Sequence, residues 1–277
     1  MILNSDCYDS IGSNHKHNDD YALNGTVDKQ YVEWAAISDG CSNSKFTNVG
    51  SKILLLASIE PVYYALDEIN LFQKDVLHIA KSTKDYLSLP NEALDATLLH
   101  IAINNDNSTK NYKKYVINAY GDGSIIKIKN DGNIEFTYIE YPSGAPLYMN
   151  YYSNPERFKS FKDKYGVQRK IYKYTFTDNI VTDFKVDIDD NGERYSETGI
   201  CDDYKVIMVT SDGISSFIGT DKKPIEITIL VRALCDFKGF KGEFLQRRMN
   251  GFNLFCEKQG WKHTDDFSIA GIHINNA

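Results

Sequence analysis

The sequence predicts an α+β fold. Three observations carry that expectation: short runs of alternating apolar and polar residues, helix-like segments that follow strand-like ones in pairs, twice over, and enough aromatic side chains to fill a large core. The 277 residues include 19 Tyr and 14 Phe but only 6 Pro and 18 Gly, the composition of a strand-rich globular chain. Disorder and low complexity are excluded. A formal net charge of −7 disfavours a nucleic-acid partner.

The elements follow in order. Residues 20 to 38 alternate around Asn24-Gly25 and close on YVEWAAIS, which reads as a hairpin with its turn at Asn24-Gly25 and a buried second strand. Helical spacing through Ile53, Leu56 and Ile59 predicts a helix over 49 to 69 that Pro61 kinks or divides. A second helix is expected over 71 to 88, with Leu71, Val76, Ile79 and Ala80 facing inward. Strand-like runs at 96–103, 114–120, 124–129 and 133–141 read as one antiparallel meander, with Asp131-Gly132 as a tight turn. Residues 142 to 203 are less regular and are taken as an elaboration within a single domain spanning 1–277. A buried strand at 203–210, helices at 224–237 and 241–259, and a final strand on DFSIAGIHI complete the chain.

Targeting signals are absent from this pattern. MILNSDCYDS has no basic region or apolar run, and no later segment offers the roughly 20 uninterrupted apolar residues of a bilayer span, so a cytoplasmic location without membrane contact is expected. Cys7, Cys41, Cys201, Cys235 and Cys256 are odd in number and too scattered for a CxxC pair; they read as reduced thiols. The glycosylation-like triplets at Asn24 and Asn107 read as incidental, and the calcium-loop-like Asp187, Asp189, Asn191, Gly192 as a polar turn, because its twelfth position is Thr198.

The chemistry lies in aspartates at strand ends. Asp39 and Asp212 each terminate an apolar run and precede Gly, while Asp19-Asp20 and Asp265-Asp266 stand at strand entrances. Entrances and exits lie side by side in an antiparallel sheet, so these acids can meet. Two carboxylates about 4 Å apart repel by roughly 4 kcal/mol at an effective dielectric of about 20, and an all-oxygen cluster of that kind calls for Mg²⁺ or Mn²⁺.

In order along the chain, NDDYAL (18–23), AAISDG (35–40), DAT (95–97), AYGDGS (119–124), VTSDGI (209–214) and TDDFSIAGI (264–272) resemble the metal-dependent protein phosphatases of the PP2C (PPM) family, bacterial type. The resemblance implies a four-layer αββα sandwich of two antiparallel sheets flanked by helix pairs. It implies that Asp39 bridges two metals, that Gly40 offers its carbonyl, and that Asp20, Asp212 and Asp265 complete the ligand set. Of these, Asp20, Asp39 and Asp265 are expected to be essential to catalysis, and Asp212 nearly so. Asp19 and Asp266 would support that set from behind, and Asp122 would hold a third, weaker ion. Two metals about 3.5 to 4 Å apart can activate a water for in-line attack on a phosphoserine or phosphothreonine monoester.

Three positions depart from the family. His15 occupies the place of a phosphate-gripping Arg, which leaves His15, Lys16 or His17 as the phosphate contact; Cys41 replaces a His common in eukaryotic members; Ser216 replaces an acid of the SDGxxxD-like motif. The expected partners are a phosphoprotein substrate and a cognate Ser/Thr kinase or its targets. A pseudophosphatase that reads phosphate without turnover, and a phosphomonoesterase for a small metabolite, are the alternatives.

Overall fold

A computed structural model describes residues 2–27, 32–104, 114–178 and 180–275. In chain order the strands are β1 (Ile2–Ser10), β2 (Asp20–Val27), β3 (Val32–Asp39), β4 (Leu98–Asn104), β5 (Lys114–Tyr120), β6 (Gly123–Lys129), β7 (Ile134–Glu140), β8 (Arg169–Thr177), β9 (Ile180–Asp189), β10 (Tyr195–Ile200), β11 (Tyr204–Thr210), β12 (Phe217–Ile218), β13 (Lys262–His263) and β14 (Phe267–Asn275). The helices are α1 (Thr47–Ile59), α2 (Tyr64–Asp67), α3 (Ile69–Tyr86), α4 (Pro155–Tyr165), α5 (Ile227–Leu234) and α6 (Phe244–Gln259).

Seven strands form one antiparallel sheet in the order β1-β14-β11-β6-β7-β8-β9, and five form another in the order β10-β5-β4-β3-β2. Their inner faces meet in a core that includes Ile37, Ile101, Ile117, Ile125, Ile207 and Ile272. On the far side of the smaller sheet, Trp34 and Leu98 pack under Leu54, Phe72 and Val76 of α1 and α3. On the far side of the larger sheet, Ile126 and Met208 pack under Leu230, Leu245 and Phe252 of α5 and α6. Apolar residues on both faces of the central strands force this layering, since each face must be covered. The four-layer α+β sandwich is therefore present.

Pro61 divides the first helix as expected, in a 3-10 turn over Glu60–Tyr63. Several expectations need correction. Asn24-Gly25 is not a turn: both residues lie inside β2, opposite Ala35 and Trp34, so alternation overrides local turn chemistry. The meander is split, because β4-β5 belongs to the smaller sheet and β6-β7 to the larger. The crossover falls at Gly121-Asp122-Gly123, where Gly121 and Gly123 have φ of 98° and 133°, and a Cβ at Gly123 would stand 2.7 Å from the Thr210 carbonyl oxygen. Leu56 and Leu71 point outward, 56% and 37% exposed. β1, which has no clean alternation in sequence, was not anticipated and pairs with β14 over its whole length.

The 142–203 stretch supplies β8 and β9 to the rim of the larger sheet and β10 to the rim of the smaller. One helical stretch among the described residues, Thr47–Asp67, is long and apolar enough by composition to cross a membrane, but 56% of that window is buried within the protein. The Asn107 triplet lies outside the described residues. Asn24 is half-buried and donates to Ser5 Oγ at 3.0 Å. All five cysteines are free thiols.

Candidate metal centre

The β2–β3 register sets Asp20 directly opposite Asp39. The DAT segment then fixes Asp39: its N–H donates to Thr97 Oγ1 at 2.9 Å, its carbonyl accepts from Thr97 N at 2.8 Å, and Ser38 Oγ donates to the Thr97 carbonyl at 2.6 Å. Gly40 bridges to Ala96 and donates to the Asp19 carbonyl at 3.1 Å. Asp212 opens a 3-10 turn at the end of β11. That turn is clasped to the start of β14 by Ser211 N to Ser268 O and Ser268 N to Ser211 Oγ, both 3.0 Å. Asp122 arrives on the crossover between the sheets. Both sheets thus contribute acids to one end of the sandwich.

Asp20 is 1% exposed, and neither of its carboxylate oxygens has a hydrogen-bond partner. Burial pushes its carboxyl up to about 7, with the charge of Asp212 adding to the rise and neighbouring Ser211, Asp39 and Ser268 opposing it. Burial, then Asp20, Asp212 and Asp122, hold Asp39 well above the usual carboxylate range. Burial, then Asp212, Asp265 and Asp20, do the same to Asp122. Asp212 is raised by burial and by Asp265, against a lowering contact with Asp39. The charges of Asp20, Asp122, Asp212 and Asp265 thus act within one neighbourhood around Asp39, although among the described residues the three ligand atoms within 4.8 Å of one another belong to His15, Asp19 and Asp266, not to these acids.

Asp266 is 3% exposed and holds the 11–19 loop: its Oδ1 accepts from Gly12 N at 2.7 Å and its Oδ2 from Asp19 N at 2.6 Å. The loop lies so close that a Cβ at Gly12 would stand 2.2 Å from the Asp265 carbonyl carbon. Asp19 is half-buried, with its carboxyl raised by burial and by Asp266. His15 does not stand free: Nε2 is 3.1 Å from Asp265 Oδ1 and Nδ1 is 3.0 Å from Asp266 Oδ2. Burial alone would lower its pKa, but Asp266, Asp265 and Asp19 raise it. Lys16, next in sequence, is exposed.

Sequence reasoning missed the supporting roles of five residues. Ser216 Oγ accepts from Asp265 N at 3.2 Å, so the residue in place of an acid positions a neighbouring acid instead. Asp95 accepts from Asn150 Nδ2 at 2.8 Å and from Arg157, while its carbonyl accepts from Cys41 N at 2.9 Å. Through Asp95 the 142–203 stretch reaches the Asp39 loop. Tyr148 is buried against Cys41, and burial followed by the charges of Cys41, Asp122 and Asp39 raises its phenol well above the ordinary value. The DAT motif was the available signal for Asp95; nothing local marks Asn150, Arg157 or Tyr148.

No protein-family model matches the sequence. No curated protein matches it either. Solved structures do. A bacterial serine phosphatase is 13% identical with a TM-score of 0.57, covering 100% of this chain and 99% of its own. The serine/threonine phosphatase Stp1 from Staphylococcus aureus is 13% identical with a TM-score of 0.58, over 100% of this chain and 96% of its own. The S. agalactiae serine/threonine phosphatase is 13% identical with a TM-score of 0.54, over 99% of this chain and 100% of its own. The chain has the fold of the bacterial serine/threonine phosphatases, as the resemblance of its aspartate motifs to the PP2C type implied.

Proposed function

We propose that the chain is a Mg²⁺- or Mn²⁺-dependent phosphatase acting on phosphoserine or phosphothreonine in proteins, with one catalytic domain that includes the 142–203 stretch. The observation that carries this reading is Asp20: a carboxylate 1% exposed, with no aligned hydrogen bond among the described residues, only the Ser211 and Ser268 hydroxyls nearby, and Asp39 opposite, is a poor structural residue and a good cation ligand. The all-carboxylate donor set suits hard divalent ions.

In this reading Asp39, the Gly40 carbonyl, Asp20, Asp212 and Asp265 would hold the two ions, and Asp122 would hold a weaker third. When bound, the ions would supply positive charge against the phosphate dianion and lower the pKa of the attacking water. The protein's own residues do the rest. Asp20 and Asp39 hold two carboxyl groups at fixed separation, Ser216 Oγ holds the Asp265 N–H while the Asp266 N–H holds the Asp265 carboxylate, and the Asp19 carbonyl anchors the Asp39-Gly40 turn. With His15 turned toward Asp265 and Asp266, exposed Lys16 is a permanently charged candidate in the loop to orient phosphate, with exposed His17 beside it. The partners follow from the chemistry: phosphoproteins as substrates and a Ser/Thr kinase that makes them.

Purified protein is expected to hydrolyse p-nitrophenyl phosphate and phosphopeptides when Mn²⁺ is added, and to lose turnover in excess EDTA or as Asp39→Asn. Full activity in either condition rules the mechanism out. The engagement of His15 favours one second reading, a phosphate-reading module without catalysis. Phosphopeptide binding with no turnover at saturating Mn²⁺ selects it. A panel of sugar and nucleotide phosphates separates protein from metabolite substrates.

A further inference from the structure

A donor set of different chemistry lies beside the five acids. His15, Asp19 and Asp266 each present a ligand atom, and these atoms all lie within 4.8 Å of one another. The Nδ1 of His15 is buried and 3.0 Å from Asp266 Oδ2, yet it has no aligned hydrogen-bond partner. Two donors on a tetrahedral Zn²⁺ with bonds of about 2.0 to 2.1 Å stand about 3.3 to 3.4 Å apart, so this contact needs only a few tenths of an ångström of adjustment to share that cation. Asp266 is pre-set for such a role, because its two oxygens are already held by Gly12 N and Asp19 N in a buried position. The mixed nitrogen and oxygen set differs from the all-oxygen centre: imidazole selects for later transition ions such as Zn²⁺, whereas Mg²⁺ strongly prefers oxygen.

We propose that His15, Asp19 and Asp266 bind one divalent transition ion, with Zn²⁺ as the best match, at a site that adjoins the aspartate centre of Asp20, Asp39, Asp212 and Asp265 through the His15–Asp265 contact. The site is half-buried, so a water can complete the shell. Its occupation engages the same imidazole that contacts Asp265, which places zinc one side chain away from the aspartate centre.

The test uses the full chain with saturating Mg²⁺ and one equivalent of Zn²⁺, read by zinc-edge X-ray absorption and by zinc titration against a chromophoric chelator. The expected result is a zinc shell containing one imidazole, an affinity at least tenfold weaker in His15→Gln, and recovery in His15→Cys with a sulfur neighbour near 2.3 Å. Circular dichroism of each variant establishes that it is folded. An oxygen-only shell in the parent chain, or an imidazole that persists in His15→Gln, overturns the proposal. Mn²⁺-dependent phosphate hydrolysis, measured separately, tests the aspartate centre, so the two readings fail independently.

Discussion

Asp20 and Asp39 are register partners on adjacent antiparallel strands, so the backbone ladder itself holds their carboxyls side by side. The repulsion between them is part of the folded state. Divalent ions are expected to relieve it: Mn²⁺ at a hundred times its Kd stabilises the fold by about 2.7 kcal/mol. Thermal denaturation with Mn²⁺ and with EDTA measures this. Asp39→Asn is expected to raise Tm in EDTA and shrink the Mn²⁺ increment; an unchanged Tm in EDTA together with a full increment refutes the assignment.

Arg157 and Asn150 connect to Asp39 through Asp95 and the backbone of Cys41 and Thr97. Arg157→Ala is therefore expected to lower turnover about tenfold and to weaken Mn²⁺ activation, while leaving the aspartates in place. Steady-state kinetics across a Mn²⁺ series provides the comparison. If turnover and the Mn²⁺ midpoint both match the parent chain, α4 does not support the site.

A buried ion cluster ties the two sheets together. Lys127 of β6 pairs with Glu135 at 2.9 Å and with Glu197 of β10, and Glu197 also accepts from Tyr115 at 2.8 Å and Tyr195 at 2.9 Å. Lys127→Met leaves Glu197 without its cation, while Glu135 keeps Lys129 at 2.7 Å, and is expected to cost about 3 kcal/mol in urea unfolding. Adding Glu197→Gln to the same chain is expected to return most of that loss. A single variant as stable as the parent contradicts the role.

His100 is fully buried between Trp34 and Phe72, with neither ring nitrogen hydrogen-bonded. Burial lowers its pKa from 6.5 to about 3, so the folded protein keeps it neutral where the unfolded chain takes up a proton. Its contribution is intact above pH 6.5 and declines as pH falls from there toward 3. Between pH 7 and pH 5 the loss comes to about 2 kcal/mol. His100→Phe should flatten the acid limb of the stability curve by that amount, which urea titrations at the two pH values read directly. Parallel pH profiles of parent and variant refute it.

Much of this architecture can be read from residue order, for a physical reason. The central strands are apolar on both faces, and the acids sit where those runs stop, so strand ends and candidate ligands are marked together at Asp39 and Asp212. What escaped was long-range pairing. β1 carries mixed residues whose partner β14 lies at the other end of the chain, and the β5–β6 crossover looks like any Gly-rich turn until its two flanking strands are seen in different sheets. Asn24-Gly25 misled because its turn propensity is local while eight consecutive ladder pairs are not. Ser216 and Asp95 act through hydrogen bonds whose partners are 49 and 55 or more residues away, beyond any local pattern.

The Gly121-Asp122-Gly123 crossover makes the two halves of the sandwich mechanically interdependent. Asp20 and Asp39 ride on one sheet and Asp212 on the other, with Asp122 on the strap between them. Sliding one sheet over its neighbour by a single residue displaces half of the carboxylates by about 3.3 Å, more than a metal–oxygen bond length. A cation held by this site therefore acts as a rivet through both layers, and its release would loosen that end first.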